Sequence, residues 1–224
     1  MKLYYAPGAC SLAPHIVARE AGLDVQLEKV EFGADGRWAG GRDYWGINPK
    51  GAVPALEVAN GEVLTENAVV LQYLASLAPQ ANLGPPAEGM ARWRFLELLN
   101  FIATELHKGF SPLFKQPTPD VRDSTIKALG PRFDLLARQL ADRSYLTGDR
   151  FTIADAYGYV ILTWTRIHQV DLTPWPSLPA FMDRVETRPA VQQARLEEGL
   201  EASAQQGDQP RPASHDAPPN GALA

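Results

Sequence analysis

The sequence predicts two domains, an α/β N-terminal domain with the element order βαβ-ββα and an all-α helical bundle after it. Three observations lead to this fold class. Short segments rich in β-formers alternate with helical segments over residues 1–80, three prolines and a glycine fall within residues 79–87, and helical periodicity dominates afterwards. We therefore place the domains at residues 1–80 and 88–202, joined by a linker at residues 81–87.

The first three elements form a βαβ unit. Residues 3–6 are a short buried strand that Pro7-Gly8 ends, and Ser11 stands where it can N-cap a helix that reaches Gly22. Residues 25–31 are again rich in β-formers and give the second strand. The unit places Ser11 and its neighbours at the start of the first helix.

An irregular segment separates this unit from the rest of the N-terminal domain. Residues 37–50 contain Gly40-Gly41 and Asn48-Pro49, which predict a long loop with room for one helical turn. Residues 55–59 and 62–65 are short strands joined by Asn60-Gly61, a strong hairpin signal. Residues 67–78 then have helical periodicity, which completes the βαβ-ββα order.

The second domain consists of four predicted helical segments, at residues 88–111, 120–142, 152–167 and 177–186. The capping box Thr152-x-x-Asp155 fixes the start of the third segment. Beyond residue 203 the chain has little apolar bulk to offset the entropy of ordering. We therefore predict a disordered tail at residues 203–224.

Composition excludes several classes of partner. The chain carries 26 acidic and 21 basic residues, for a net charge of −5, and no basic cluster stands out, so nucleic acid is a poor candidate. No apolar run approaches the roughly 18 residues of a membrane span, and no signal-peptide h-region forms. The single cysteine cannot form an internal disulfide. These features favour a cytoplasmic protein that has no membrane or nucleic-acid partner.

Cys10 is the first candidate functional residue. It follows the first strand and precedes Ser11, so its sulfur would lie near the unpaired N–H groups of the first helix, where a thiolate is stabilised. Such a position lowers a cysteine pKa from about 8.5 towards neutrality. A buried structural cysteine is the alternative. Ala13 stands where a C-x-x-C motif would need its second sulfur, so a dithiol cycle is excluded.

Val53-Pro54 opens the third strand. A cis proline there would stop the edge from pairing and leave the Val53 backbone N–H and C=O available to a bound peptide, although an ordinary trans proline is the commoner case. A βαβ-ββα unit with a cysteine at the first helix and a proline opening strand three is the layout of the thioredoxin fold. We therefore favour the cis form.

Glu66 and Asn67 begin the next helix. The helix N-terminus and the Asn67 side chain suit a ligand carboxylate, while Glu66 suits a ligand ammonium, so the pair fits the amino-acid end of a γ-glutamyl peptide. Plain helix capping explains the same residues equally well.

A polar stripe follows one face of the first helix of the bundle, formed at helical spacing by Asn100, Thr104, His107, Lys108 and Ser111. The stripe is mostly neutral, which suits the wall of a cleft, and a solvated surface is the alternative. His107 could donate a hydrogen bond to a thiolate or accept a thiol proton. We assign Phe110 and Trp164 to an apolar substrate pocket, with a core position as the alternative for Trp164. His15 and His168 lack partners at metal spacing, so we expect no metal.

The chain resembles the bacterial β-class glutathione S-transferases over essentially residues 1–200. Six segments carry the resemblance: Met1-Lys2-Leu3-Tyr4-Tyr5-Ala6-Pro7-Gly8-Ala9-Cys10-Ser11-Leu12, Asn48-Pro49-Lys50-Gly51, Val53-Pro54, Leu64-Thr65-Glu66, Glu105-Leu106-His107-Lys108-Gly109 and Phe151-Thr152-Ile153-Ala154-Asp155-Ala156-Tyr157. Two positions depart from the family pattern: Asn67 replaces the usual Ser or Gly, and Arg37 stands approximately where the family has a lysine.

The resemblance implies a homodimer that takes glutathione as its co-substrate. Cys10, Ser11, His107 and Tyr5 would be the catalytic residues, with Tyr5 the less important. The implied glutathione contacts are Cys10, Arg37, Val53, Pro54, Glu66, Asn67, Asn100, Thr104, His107 and Lys108, together with Glu105 of the neighbouring subunit.

Three functions fit these residues. The leading hypothesis is a transferase that conjugates the glutathione thiolate to hydrophobic electrophiles. The second is a thiol transferase or peroxidase that works through a mixed disulfide of Cys10 with glutathione. The third is a non-catalytic binder of hydrophobic ligands.

Overall fold

The computed structural model describes residues 1–33 and 36–200, and the tail predicted at residues 203–224 lies outside them. Six strands form one mixed sheet in the order β4-β3-β2-β1-β5-β6. The strands are β1 (Lys2–Tyr5), β2 (Gln26–Gly33), β3 (Gly36–Ala39), β4 (Arg42–Asp43), β5 (Ala55–Glu57) and β6 (Val63–Thr65). The N-terminal domain also contains α1 (Leu12–Glu20) and α2 (Asn67–Leu77).

The pairing of the sheet confirms the predicted βαβ-ββα order. β1 pairs in parallel with β2, as a crossover through α1 requires. β5 runs antiparallel to β1 and to β6, which confirms the predicted β5–β6 hairpin. Its turn spans residues 58–61, where the Gly61 N–H donates to the Val58 carbonyl. β1 therefore lies inside the sheet and directs its C-terminal end towards Cys10.

The prediction of a long loop at residues 37–50 is wrong in part. β3 and β4 form a hairpin there, with Ala39 opposite Arg42, and a turn of 3-10 helix at Tyr44–Gly46 follows. Gly40 and Gly41 adopt φ values of +54° and +75°, the left-handed pair that a two-residue hairpin turn needs. The two strands are too short for an alternating pattern to be visible in the sequence.

The C-terminal domain is all-α, as predicted. Its helices are α3 (Gly89–Phe101), α4 (Lys108–Phe110), α5 (Pro119–Leu140), α6 (Ile153–Ile167), α7 (Ser177–Glu186) and α8 (Pro189–Glu197). A π-helical segment, Ile102–His107, joins α3 to α4, so the predicted single helix at residues 88–111 changes its winding midway. Within the described part of the chain, no helix is long and apolar enough to cross a membrane.

The two domains share one hydrophobic core. α1 packs against α2 on its own domain and against α6 and α8 of the other. Leu3 and Tyr5 of β1 face this shared core, whereas Tyr4 faces the opposite side of the sheet, where it packs near Tyr44. The predicted capping box at the start of α6 is present, with the Thr152 N–H donating to Asp155 Oδ2 over 2.8 Å. Residues 82–88 form neither helix nor strand.

Candidate active site at the junction of the two domains

A cavity of about 280 Å³ lies where the two domains meet. Its N-terminal wall comes from the start of α1, the loop before β5 and the start of α2. Its C-terminal wall comes from the π-helical segment, α4 and α6. The polar and titratable side chains among its lining residues are Cys10, Asn48, Lys50, Thr65, Glu66, Asn67, His107, Lys108 and Tyr157.

Cys10 lies at the base of this cavity and is 3% exposed. Its Sγ donates to the carbonyl oxygen of Val53 at 3.2 Å, and its own carbonyl oxygen accepts a hydrogen bond from Asn67 Nδ2 at 3.1 Å. Cys10 thus ties the start of α1 to the loop before β5 and to the start of α2. As a donor to Val53, the sulfur carries its proton.

The prediction that the first helix lowers the Cys10 pKa is wrong for this structure. Burial raises the pKa of the Cys10 thiol to about 12. Lys108 and the backbone N–H groups of Cys10 and Ser11 act in the lowering direction, as predicted, but they do not offset the loss of solvent. The sequence locates the helix N-terminus correctly and does not reveal how deeply the sulfur is buried.

Val53-Pro54 is a cis peptide bond, which confirms the form favoured from the thioredoxin-like layout. The Val53 carbonyl is not free, however, because it accepts the Cys10 thiol. Of the two Val53 backbone groups predicted to pair with a bound peptide, the carbonyl is therefore already bonded to the Cys10 side chain. Val53 and Pro54 both line the cavity.

Glu66 precedes α2 in a left-handed conformation, with φ at +69°, which a residue with a side chain adopts only at a cost in free energy. Its exposed carboxylate pairs with Lys50 Nζ, which also donates to Thr65 Oγ1 at 3.0 Å. Asn67, by contrast, is 7% exposed, and its Oδ1 is buried and accepts no hydrogen bond from any part of the chain that the structure describes. This end of the cavity offers an anion, a cation and the first backbone N–H groups of α2.

The π-helical segment decides which members of the predicted polar stripe reach the cavity. His107 and Lys108 line it, together with Ala103. Asn100 and Thr104 are exposed and do not line it, and the Thr104 hydroxyl donates to the Asn100 carbonyl at 3.0 Å. The predicted stripe assumes the 3.6 residues per turn of an α-helix. The π-helical segment has more residues per turn, so the side chains of the stripe point in different directions.

Tyr157 of α6 is a cavity residue that the sequence analysis placed only within a family segment. It is 1% exposed, and its hydroxyl lies 2.7 Å from Nδ1 of His107. The two residues are 50 positions apart, so no local pattern connects them. The signal that could have found Tyr157 is its position one turn into a helix with a well-defined capping box.

Comparison with known proteins agrees with this two-domain site. The family model "Glutathione S-transferase, N-terminal domain" matches residues 8–77, and "Glutathione S-transferase, C-terminal domain" matches residues 101–189. Glutathione S-transferase GstA of Escherichia coli O157:H7 is 44% identical over 201 residues, which are 89% of this chain and 100% of the relative. The chain belongs to the glutathione S-transferase family.

Two solved structures extend the comparison. A glutathione transferase from Methylococcus capsulatus is 47% identical, with a TM-score of 0.85 over 89% of this chain and 99% of that one. A β-class glutathione S-transferase from Sphingomonas chungbukensis is 37% identical, with a TM-score of 0.84 over 90% and 100%. The resemblance to bacterial β-class transferases is confirmed.

Several residues predicted for the site of this transferase lie outside the cavity. Ser11 occupies the N-cap position of α1, but its hydroxyl bonds the backbone N–H and carbonyl of Ala6 and does not cap the helix. Tyr5 faces the shared core beside His15, with ring centroids 6.3 Å apart. Ser11 thus ties the segment that carries Cys10, and neither Ser11 nor Tyr5 lines the cavity.

Arg37 and Glu105 also point elsewhere. The Arg37 guanidinium stacks on Trp45 and bonds the Gly51 carbonyl, so it supports the loop that carries Lys50. Glu105 is exposed and pairs with Arg132 at 2.6 Å. Within a single chain, neither side chain approaches Cys10.

Phe110 and Trp164 are core residues of the transferase. Both are almost completely buried, and their rings pack edge-on with centroids 5.9 Å apart. Neither lines the cavity. The assignment of both to a substrate pocket is not supported, because Phe110 also packs on Phe133 and Trp164 also packs on Phe114. Across residues 1–33 and 36–200, no group of three or more ligating side chains could hold a metal ion.

Side chains of the C-terminal domain hydrogen-bond to Gly8, in the loop before Cys10. Trp164 Nε1 donates to the Gly8 carbonyl at 3.0 Å, and the Gly8 N–H donates to Oε2 of Glu198 at 3.0 Å. Oε1 of Glu198 lies 2.9 Å from Nδ1 of His15, whose Nε2 lies 2.6 Å from Glu197. The end of α8 and α6 therefore fix the peptide that precedes the reactive region.

Proposed function

We propose that this glutathione S-transferase binds glutathione in the cavity at the domain junction and conjugates its thiolate to hydrophobic electrophiles. The observation that carries the proposal is the cavity itself, in which a thiol, an imidazole and a lysine face a helix N-terminus. Cationic and hydrogen-bonding groups of this kind stabilise a thiolate more than a thiol, which lowers the pKa of the bound sulfur.

The polarity of the cavity suggests how the tripeptide lies in it. Its γ-glutamyl carboxylate would meet the backbone N–H groups at the start of α2 and the amide of Asn67, and its ammonium would meet the carboxylate of Glu66. Its central residue would run beside Val53 and Pro54. The left-handed backbone of Glu66 supports this placement, because strain of this kind is retained where it orients a functional group.

The sulfur of glutathione would then lie near Cys10, His107 and Lys108. Because burial keeps the Cys10 thiol protonated, we assign Cys10 the role of a hydrogen-bond donor to the glutathione thiolate and not that of a nucleophile. Its single S–H proton would turn from the Val53 carbonyl to the thiolate when glutathione binds. Lys108 supplies a positive charge, and it already acts to lower the pKa of Cys10. His107 supplies an imidazole that can donate a hydrogen bond to the thiolate or accept the thiol proton.

The remaining contacts implied by the family belong to a dimer. We propose that two copies associate so that the partner's copy of the exposed residue Glu105 approaches the peptide, as the β-class resemblance implies. Asn100 and Thr104 are exposed on the same stretch of helix, where an extended ligand or a second subunit can reach them. A cytoplasmic location completes the proposal, since the single cysteine needs no oxidising compartment.

Replacing His107 by Ala tests the transferase mechanism. We expect kcat/KM for a chloronitrobenzene substrate to fall by about 10- to 100-fold, the effect of losing one hydrogen bond to a charged sulfur. Steady-state kinetics at saturating glutathione measure it. His168→Ala is the matched control, because this histidine packs on Phe114 away from the cavity and its loss should leave the rate nearly unchanged. Unchanged kinetics for His107→Ala would remove His107 from the mechanism, and glutathione binding without any turnover would favour the non-catalytic binder.

A mixed disulfide at Cys10 is the second candidate, because this only cysteine of the chain lines the cavity. The reaction would consume glutathione disulfide, release one glutathione and leave the other bonded to Sγ. With a pKa near 12, the thiol should react roughly 10²- to 10³-fold more slowly than free cysteine with iodoacetamide at pH 8, and faster as the pH rises. Intact mass spectrometry after incubation with glutathione disulfide should detect no adduct. A reducible adduct, together with loss of turnover in Cys10→Ser, would instead establish the thiol-transferase reaction.

A further inference from the structure

The side chain of Tyr157 lies where it can fix the orientation and the protonated nitrogen of the His107 imidazole. It projects from the first turns of α6 into the cavity and approaches the imidazole on the Nδ1 side, at 2.7 Å. The rings also meet edge-on, with centroids 5.7 Å apart, and Trp164 packs against the imidazole with centroids 5.0 Å apart. His107 is therefore held by two aromatic neighbours on α6, of which Tyr157 also places its hydroxyl within hydrogen-bonding distance of the imidazole.

The direction of this hydrogen bond follows from the groups around the tyrosine oxygen. Burial raises the pKa of Tyr157 well above its ordinary value, so the hydroxyl keeps its proton. Asn67 acts on this pKa in the lowering direction, while its own Nδ2 donates to the Cys10 carbonyl at 3.1 Å. Asn67 Oδ1 receives no hydrogen bond from the described residues, so the hydroxyl proton does not go there. The remaining acceptor is Nδ1 of His107.

We propose that Tyr157 is a positioning residue that donates to Nδ1 of His107 and thereby fixes the neutral imidazole with its proton on Nε2. This inference rests on the proposed function of the cavity and deepens it, because it selects between the two roles open to His107. An imidazole that carries its proton on Nε2 and accepts at Nδ1 donates through Nε2 and cannot take a thiol proton there. His107 is then a hydrogen-bond donor to the bound thiolate and not a general base.

The alternative role requires the opposite arrangement. To accept a thiol proton at Nε2, His107 would carry its own proton on Nδ1 and donate it to the Tyr157 oxygen. The tyrosine proton would then need a new acceptor, for which Asn67 Oδ1 is the unpartnered candidate. The other charged or titratable groups that face the pair, within the part of the chain described, are Cys10, Lys50, Glu66 and Lys108.

Nitrogen NMR of the ¹⁵N-histidine-labelled protein tests the proposal without any turnover. We expect His107, assigned by its loss in His107→Asn, to show the pattern of a neutral ring protonated on Nε2 at pH 8. In Tyr157→Phe that pattern should give way to a mixture of the two tautomers, since Nδ1 has lost its donor. A ring protonated on Nδ1 in the unaltered protein, or an unchanged pattern in Tyr157→Phe, would overturn the proposal.

Kinetics give the second readout. In Tyr157→Phe we expect kcat/KM for the chloronitrobenzene to fall about 3- to 10-fold, and the pKa seen in its pH profile to rise, because the thiolate loses a fixed donor. Tyr159→Phe is the matched control: this tyrosine is equally buried on α6, but its hydroxyl donates to Glu186 at 3.0 Å, away from the cavity. Equal shifts of the pH profile in both variants would contradict the proposal. Absence of turnover in the unaltered protein would reject the proposed function and leave the NMR result to decide the role of Tyr157.

Discussion

Replacement of Glu198 by alanine is expected to lower the free energy of unfolding by about 3–5 kcal/mol, the effect of removing one partner from a buried polar pair. The Glu198 and His15 side chains are both inaccessible to solvent, with Glu198 Oε1 and His15 Nδ1 2.9 Å apart. The same carboxylate accepts the Gly8 N–H, two residues before Cys10. The variant would leave a buried imidazole nitrogen and a backbone N–H without partners. Urea denaturation followed by fluorescence measures the loss.

Glu197→Ala is the matched control. Glu197 also contacts His15 and additionally pairs with Arg19, but its side chain is 29% exposed, so water can replace it. We expect a loss of less than about 1 kcal/mol there. Transferase activity should fall more in Glu198→Ala than in Glu197→Ala, because of the two glutamates only Glu198 accepts the Gly8 N–H. Equal losses in the two variants would show that the contact with Gly8 contributes nothing to stability.

Replacement of Asp155 by alanine is also expected to lower the free energy of unfolding by about 3–5 kcal/mol. The buried carboxylate accepts the Leu146 N–H at 2.7 Å and both the N–H and the hydroxyl of Thr152 at 2.8 Å. Alanine would leave two buried backbone donors unsatisfied and remove the cap of α6. Because α6 carries Tyr157, activity should fall with stability. The exposed Asp149, in the preceding loop, provides the control Asp149→Ala, which should be within about 0.5 kcal/mol of the unaltered protein.

The pH dependence of the same residue has a definite sign. Burial raises the pKa of Asp155 to about 6, above its value in the unfolded chain, so between about pH 4 and pH 6 the folded state binds the extra proton. Its contribution to stability is complete below the unfolded pKa and decreases as the pH rises to about 6. Relative to Asp155→Asn, the unaltered protein should therefore gain stability as the pH falls from 6 to 4. A constant difference across this range would contradict the assignment.

Local patterns in the sequence predicted much of the fold. Asn60-Gly61 is a local signal for a hairpin, and the structure has a turn at residues 58–61 between β5 and β6. The capping box at Thr152 located the start of α6 to within one residue. These features succeed because the interactions that cause them lie within a few residues along the chain. β3 and β4 were missed because strands of four and two residues are too short to have a readable alternation.

The candidate site was predicted less completely. Cys10, Val53, Pro54, Glu66, Asn67, His107 and Lys108 were all placed in it from the sequence, and all line the cavity. Three further predicted residues do not line the cavity and lie behind the residues that do: Arg37, Tyr5 and Ser11. The contact of Tyr157 with His107 could not be predicted, because it joins positions 50 residues apart through the packing of α6 on the π-helical segment.

Cys10 separates what the sequence determines from what the tertiary structure decides. The sequence alone placed the thiol after a strand and before a helix, because the break at Pro7-Gly8 and the helical periodicity are local. Its protonation depends on how much water reaches the sulfur, and that is set by Val53, Asn67 and the C-terminal domain, which are distant in sequence. Burial there outweighs the helix N-terminus and reverses the expected pKa shift. The chain encodes the position of the thiol locally, and only the meeting of its two domains decides the chemistry of that thiol.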